Sequence, residues 1–118
     1  MKKILFVFQS PPYADGRARD GIDAALVASA FGAEVSVLFC GDATYQLIGN
    51  QNATLLGGKS IEKLLRSFDL YDIHRLFVEK SALLARGLTV ETATIDCAPL
   101  EPSEIRELLL QHDIVMSF

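Results

Sequence analysis

The sequence predicts an α/β fold, a three-layer α/β/α domain built around a five-stranded parallel sheet. Three observations support this prediction. The run from Ile4 to Phe8 is apolar throughout, which is typical of a strand covered by helices on both faces. Strand and helix patterns alternate along the chain, and the connections between them are short. Such a chain favours right-handed β–α–β crossovers, and its 118 residues fit one domain over positions 1–118.

The first half of the chain predicts two strands and two or three helices. A helix is expected within residues 16–31, ended by Gly32, with an inward face of Ile22, Ala25, Leu26 and Ser29. Residues 35–40 are rich in β-branched and aromatic side chains and predict the second strand, followed by a short helix over 41–48. Glycine and asparagine at 49–52 and 57–58 predict a mobile loop. Ser60 is the expected N-cap of a helix with the apolar stripe Ile61, Leu64, Leu65 and Phe68.

The second half of the chain predicts three further strands. The third strand runs over residues 73–78 and enters a short helix that ends at Gly87. Residues 93–97 form a weaker fourth strand, and 114–118 form the fifth. Pro102 starts the last helix, whose predicted inward stripe is Ile105, Leu108 and Leu109. Strand 1 is expected near the centre of the sheet because it is apolar on both faces.

Composition excludes several classes of protein. The net charge is −4, and no basic stripe is present to contact phosphates, so direct nucleic-acid binding is not expected. No apolar run has the roughly 18 residues that span a bilayer, and the apolar start is too short for a secretory signal. We therefore expect a cytoplasmic protein with reduced cysteines. Half of the residues are hydrophobic, which predicts a sizeable core and apolar surface at a subunit interface.

The side chains that could carry chemistry form no known catalytic or binding motif. The turn after strand 1 contains Pro11 and Pro12 and no glycine-rich phosphate loop. His74 and His112 have no second ligand at metal spacing and are interpreted as a surface and a helix-end histidine. We therefore predict no catalytic, cofactor-binding or metal-binding residues and no cofactor.

The two cysteines are interpreted as structural residues. Cys40 lies at the carboxyl end of strand 2, where sites on parallel sheets gather, but Asp42 beside it works against a thiolate. Cys97 lies next to Asp96 and is likewise interpreted as a structural cysteine. A reactive role for Cys40 stays open as an alternative.

Several segments in order along the chain resemble the DsrE/DsrF/DsrH-like family. They cover almost the whole sequence and comprise residues 3–8, 16–26, 39–47, 70–73, 81–88, 99–101 and 113–118. The resemblance implies a spatial strand order of 4-3-2-1-5. It also implies a non-catalytic subunit of a sulfur-relay complex, which supports persulfide transfer for 2-thiouridine synthesis at the tRNA wobble position. The implied partners are TusB-like and TusD-like paralogous subunits in a dimer of heterotrimers, and sulfur-carrier proteins reached through that complex.

The non-catalytic role that the resemblance implies depends on the residue at position 79, which is Glu79. Active members keep a sulfur-carrying cysteine just after strand 3, eight residues before the glycine that ends the next helix, and here that position is Glu79, eight before Gly87. A carboxylate cannot form a persulfide, so Glu79 is interpreted as a surface residue before a helix capped by Ser81. Two alternatives stay open: an active persulfide carrier that uses Cys40, and a DsrF-type subunit of a sulfur-oxidation complex.

Overall fold

Five parallel strands form one sheet in the computed structural model, which describes residues 2–13, 15–48 and 61–118. The strands are β1 (Lys3–Phe8), β2 (Glu34–Phe39), β3 (Arg75–Glu79), β4 (Ala98–Leu100) and β5 (Ile114–Ser117). Their order across the sheet is β4-β3-β2-β1-β5, and every neighbouring pair is parallel. The predicted order and the inner position of β1 are both confirmed. Strand ends differ from the predicted ones by one or two residues, except in β4.

Four α-helices connect the strands in the described part of the chain. They are α1 (Arg17–Ala30), α2 (Ile61–Arg66), α3 (Lys80–Ala85) and α4 (Pro102–Leu110). The short helix predicted over 41–48 is present as a 3-10 helix, Gly41–Leu47. Gly32 and Gly87 follow α1 and α3 with φ of +93° and +67°, the left-handed conformation that glycine adopts most readily at helix ends. The predicted Ser60 cap and the loop at 49–58 lie outside the described residues. No helix in the described ranges is long and apolar enough to cross a membrane.

Helices pack on both faces of the sheet and make the predicted three layers. On one face, α1 and α2 cover a large core that includes Phe6, Phe8, Ile22, Leu65 and Phe68. On the other face, a smaller core joins α4 to the strands and consists of Leu5, Val7, Leu38, Leu100 and Leu108. Among the described helices, α4 is the one that contributes to this second core.

The predicted position of the fourth strand is wrong. Residues 93–97 are not part of the sheet, and β4 starts at Ala98. Ala93 instead pairs antiparallel with Ile48, and the Thr94 N–H donates to the Leu47 carbonyl at 2.9 Å. These contacts hold the segment against the 3-10 helix and away from β3. The β-branched residues fit an extended chain here, but tertiary pairing decides which residues enter the sheet.

Three residues of the predicted helix stripes also differ from expectation. Leu109 is exposed because α4 has only nine residues and turns Leu108 alone fully into the core. Ser29 is half-buried, and its hydroxyl donates to the Tyr71 carbonyl at 2.7 Å. Phe68 lies beyond the end of α2 at Arg66, yet it is buried in the main core. Residues in the turn after a short helix can therefore contribute to the core, as Phe68 does.

Candidate functional site

The carboxyl ends of β2 and β3 bring Cys40 and Glu79 side by side. Phe39 and Val78 are partners in the parallel register, so the next residue on each strand is Cys40 and Glu79. Cys40 also continues the ladder to β1, because its N–H donates to the Phe8 carbonyl at 2.8 Å. In an open parallel sheet this edge is where functional groups collect. The sequence correctly placed both residues at this edge.

Glu79 is tied into the backbone rather than free at the surface. Its Oε1 accepts a hydrogen bond from the Gly41 N–H at 3.1 Å, and the side chain is half-buried. Gly41 has φ of +53°, a left-handed turn that β-carbon-bearing residues rarely adopt. The prediction of a surface carboxylate before a Ser81 cap is wrong: α3 begins at Lys80, Glu79 holds the N-cap position, and no side-chain cap bond forms. The carboxylate fixes the chain where it leaves β2.

A second link joins the same turn to α3 through Arg86. Its Nη2 and Nε donate to Asp42 Oδ1 at 2.9 and 3.2 Å, and its Nη1 donates to the Ala82 carbonyl at 3.1 Å. The guanidinium also lies over the ring of Tyr45, 5.8 Å from its centroid. Asp42 is thus neutralised by Arg86. We call residues 40–42, Glu79 and Arg86 the junction.

Cys40 is a poor nucleophile in this setting. Burial raises the pKa of its thiol to about 12, and the negative charge of Glu79 adds to the shift. The thiolate is the reactive form of cysteine, so almost none is present near neutral pH. The sequence predicts that Asp42 opposes formation of the Cys40 thiolate. In the structure Asp42 pairs with Arg86, and the negative charge that raises the pKa of Cys40 is that of Glu79.

Cys97 lies away from the junction and is equally unreactive. It is half-buried and packs against the main core, and burial followed by the charge of Asp96 raises its pKa to about 12. It lines a cleft of about 510 Å³ beside β3, next to a second of about 410 Å³. Both clefts flank the start of β3, which β4 is too short to cover, and neither is lined by Cys40 or Glu79.

The histidines lie in different surroundings. His74 is exposed just before β3, with Nδ1 3.6 Å from Asp69 and Nε2 3.7 Å from Asp72. His112 lies past the end of α4, not on the helix, and it is half-buried. Across the described ranges no three His, Cys, Asp or Glu side chains stand close enough together to hold a metal ion.

His112 belongs to a polar network that the sequence did not predict. Its Nδ1 donates to the Leu108 carbonyl at 2.7 Å, and its Nε2 is hydrogen-bonded to the Ser36 hydroxyl at 2.9 Å. Ser36 is buried in β2 and also accepts from Arg75 Nε at 3.0 Å. The network satisfies the one buried hydroxyl that β2 directs to the α4 face. The only signal in the sequence was a serine between two valines of a strand.

Comparison with known proteins gives one consistent family. The DsrE/DsrF-like family model matches residues 2–118. Proteins named "Protein TusC homolog" from Vibrio parahaemolyticus and Aliivibrio fischeri are 36% and 34% identical, each over the full length of both chains.

Solved structures share the fold. The crystal structure of the ychN protein from E. coli superposes with a TM-score of 0.86 at 17% identity and full coverage of both chains. A conserved protein of unknown function from Bacteroides thetaiotaomicron, BT1422, gives a TM-score of 0.69 at 11% identity, covering 99% of this chain and 95% of that one. At these identities the superpositions establish the architecture alone.

Proposed function

The chain belongs to the DsrE/DsrF-like family, and on that premise we propose that it is a non-catalytic subunit of a TusBCD-like sulfur-relay complex. The complex would pass persulfide sulfur toward 2-thiouridine synthesis at the tRNA wobble position, in the cytoplasm. The partners would be TusB-like and TusD-like subunits in a dimer of heterotrimers. The full-length likeness to proteins named TusC homologs favours this branch over a sulfur-oxidation complex.

The observation that carries the proposal is the state of Glu79. The position that would hold a sulfur-carrying cysteine holds a carboxylate, and that carboxylate is engaged with the Gly41 N–H. A carboxylate offers no sulfur to which a second sulfur can be bonded. Glu79 therefore acts as a structural residue of the junction and takes no part in sulfur transfer.

Cys40 is the remaining sulfur at this edge, and its surroundings argue against a carrier role. A persulfide acceptor must attack as a thiolate, whereas burial and Glu79 raise the pKa of Cys40 to about 12. The adjoining turn is held by Glu79 and by Arg86, so Cys40 sits in a fixed and partly covered position. These contacts support the non-catalytic reading.

A subunit without chemistry of its own contributes through its surface. Leu84 on α3, next to the junction, is 69% exposed. An exposed leucine beside a rigid turn is suited to packing against another subunit. We assign to the junction the task of presenting a firm surface to the sulfur-bearing partner.

The test measures wobble 2-thiouridine and the mass of the intact native complex side by side. Deleting this chain should abolish thiolation as fully as deleting the cysteine-bearing subunit does. Glu79→Ala and Cys40→Ser should each retain most of the thiolation, and Glu91→Ala, at an exposed carboxylate outside the junction, serves as the matched control. Any loss of 2-thiouridine in these variants should be accompanied by a loss of the intact complex.

Two results would contradict the proposal. One is an intact hexamer of the Glu79→Ala variant that makes no 2-thiouridine, because Glu79 would then have a direct chemical role. The other is a persulfide on Cys40 or Cys97 in the native complex that forms and disappears with turnover, because the chain would then be a sulfur carrier.

A further inference from the structure

The β5 strand ends the sheet with an apolar and uncharged edge. Ile114, Val115 and Met116 are 40, 43 and 41% exposed, although they lie in a strand paired to the buried β1. No charged side chain, proline or covering element protects the open side of β5 in the part of the chain that the structure describes. Natural edge strands that stay unpaired normally carry such protection. An unprotected apolar edge therefore points to a strand that pairs with another strand.

The backbone of β5 is set for antiparallel pairing with an identical strand. Phe118, directly after β5, points inward, because its N–H donates to the Val7 carbonyl at 2.9 Å and its carbonyl accepts from the Gln9 N–H at 2.7 Å. Since the backbone groups alternate between the two sides of a strand, those of Ile114 and Met116 also point inward, and those of Val115 and Ser117 point outward. Two copies related by a two-fold axis at Val115 place Ile114 opposite Met116 of the other copy. This arrangement makes one hydrogen-bonded Val115–Val115 pair, with a closer, non-hydrogen-bonded Ile114–Met116 pair on each side.

Side-chain chemistry is compatible with this two-fold register. Each apolar residue of β5 meets an apolar residue, and Asp113 falls opposite the neutral Ser117, so no like charges oppose each other along the strand. Val115 is the partner of Leu5 and so shares the α4 face of the sheet. Leu110 at the end of α4 is 80% exposed. It adds apolar surface on the same face close to the start of β5.

We propose that β5 is a homotypic interface, at which a second copy of this chain pairs antiparallel and extends the sheet to ten strands. The interface needs no sulfur chemistry, so it stands or falls independently of the relay function. It also differs from the surface near Leu84, which lies at the carboxyl edge of the sheet on α3.

The experiment measures the mass of the purified chain by sedimentation and light scattering over a range of concentrations. Wild type should be dimeric. Val115→Lys and Val115→Glu should each be monomeric, because each places like charges opposite each other at the axis. An equimolar mixture of the two variants should dimerise again, which also shows that both are folded. Val27→Lys, an exposed valine on α1, is the matched control and should stay dimeric.

A Val115→Cys variant tests the register directly. Opposed residues of a hydrogen-bonded antiparallel pair have Cα atoms about 5.5 Å apart, a separation that a disulfide can span, so mild oxidation should link two copies through position 115. Val27→Cys should not cross-link. A monomeric wild-type chain, a dimer insensitive to both charges at 115, or a mixture that stays monomeric would each overturn the proposal.

Discussion

Replacing Glu79 separates the two effects of its carboxylate, a hydrogen bond to Gly41 and a negative charge beside Cys40. Glu79→Gln keeps a side-chain oxygen that can accept from the Gly41 N–H but removes the charge. Glu79→Ala removes both. The two variants should therefore differ in stability and agree in their effect on the thiol.

The size of the stability change follows from the burial of the bond. An unsatisfied buried donor costs about 1–3 kcal/mol, and the Gly41 bond is only partly buried, so water replaces part of what is lost. We expect Glu79→Ala to lower the free energy of unfolding by about 1 kcal/mol and Glu79→Gln by less than about 0.5 kcal/mol. Both should lower the pKa of Cys40. That pKa should stay above its ordinary value in both variants, because burial is the larger cause.

Two measurements check these expectations. Urea unfolding at constant m-value gives the stability difference, with Glu91→Ala as the control. The pH dependence of thiol alkylation, measured with Cys97→Ser present throughout, gives the pKa of Cys40. Equal stability of the Ala and Gln variants, together with an unchanged alkylation profile in both, would refute the roles assigned to Glu79.

Two further predictions concern packing and acid stability. Gly21→Ala should destabilise the fold by about 1–2 kcal/mol in urea unfolding, because the new Cβ would lie 2.9 Å from Phe8 and 3.0 Å from Phe118, and strain outweighs the gain in helix propensity. Gly16→Ala, which meets nothing closer than 3.8 Å, should be nearly neutral. A backbone N–H of β1 holds the pKa of Asp113 below its usual value, so its stabilising effect is present above the unfolded carboxyl's pKa and lost as pH falls through the folded one. Unfolding of Asp113→Asn should accordingly match wild type in strong acid and be easier at neutral pH; a gap independent of pH would contradict this.

The sheet could be predicted from the sequence because its inner strands are apolar on both faces. Residues 4–8 and 35–40 have few alternatives to a buried parallel strand, and the predicted ends lie within a residue of the observed ones. The edge strand β4 could not be located in the same way. Its three residues carry little pattern, and the pairing of Ala93 with Ile48 moves the more strand-like residues out of the sheet.

The candidate site could also be predicted only in part from the sequence. Chain topology alone places Cys40 and Glu79 at one edge, since consecutive parallel strands end together. The links from Gly41 to Glu79 and from Asp42 to Arg86 depend on side-chain geometry that no spacing encodes. The same is true of the Ser36 network, whose members come from three distant parts of the chain.

The two edge strands of the sheet, β4 and β5, differ in how readily another strand can pair with them. β4 has only three residues, and one of them is Pro99, which lacks an N–H and cannot donate to an added strand. If both edges were open, the β5 edge of one molecule could join the β4 edge of the next, and head-to-tail growth would have no natural end. With one edge blocked, only pairing of like with like is available at β5, and such pairing closes after two molecules. Pro99 thus limits polymerisation through this sheet.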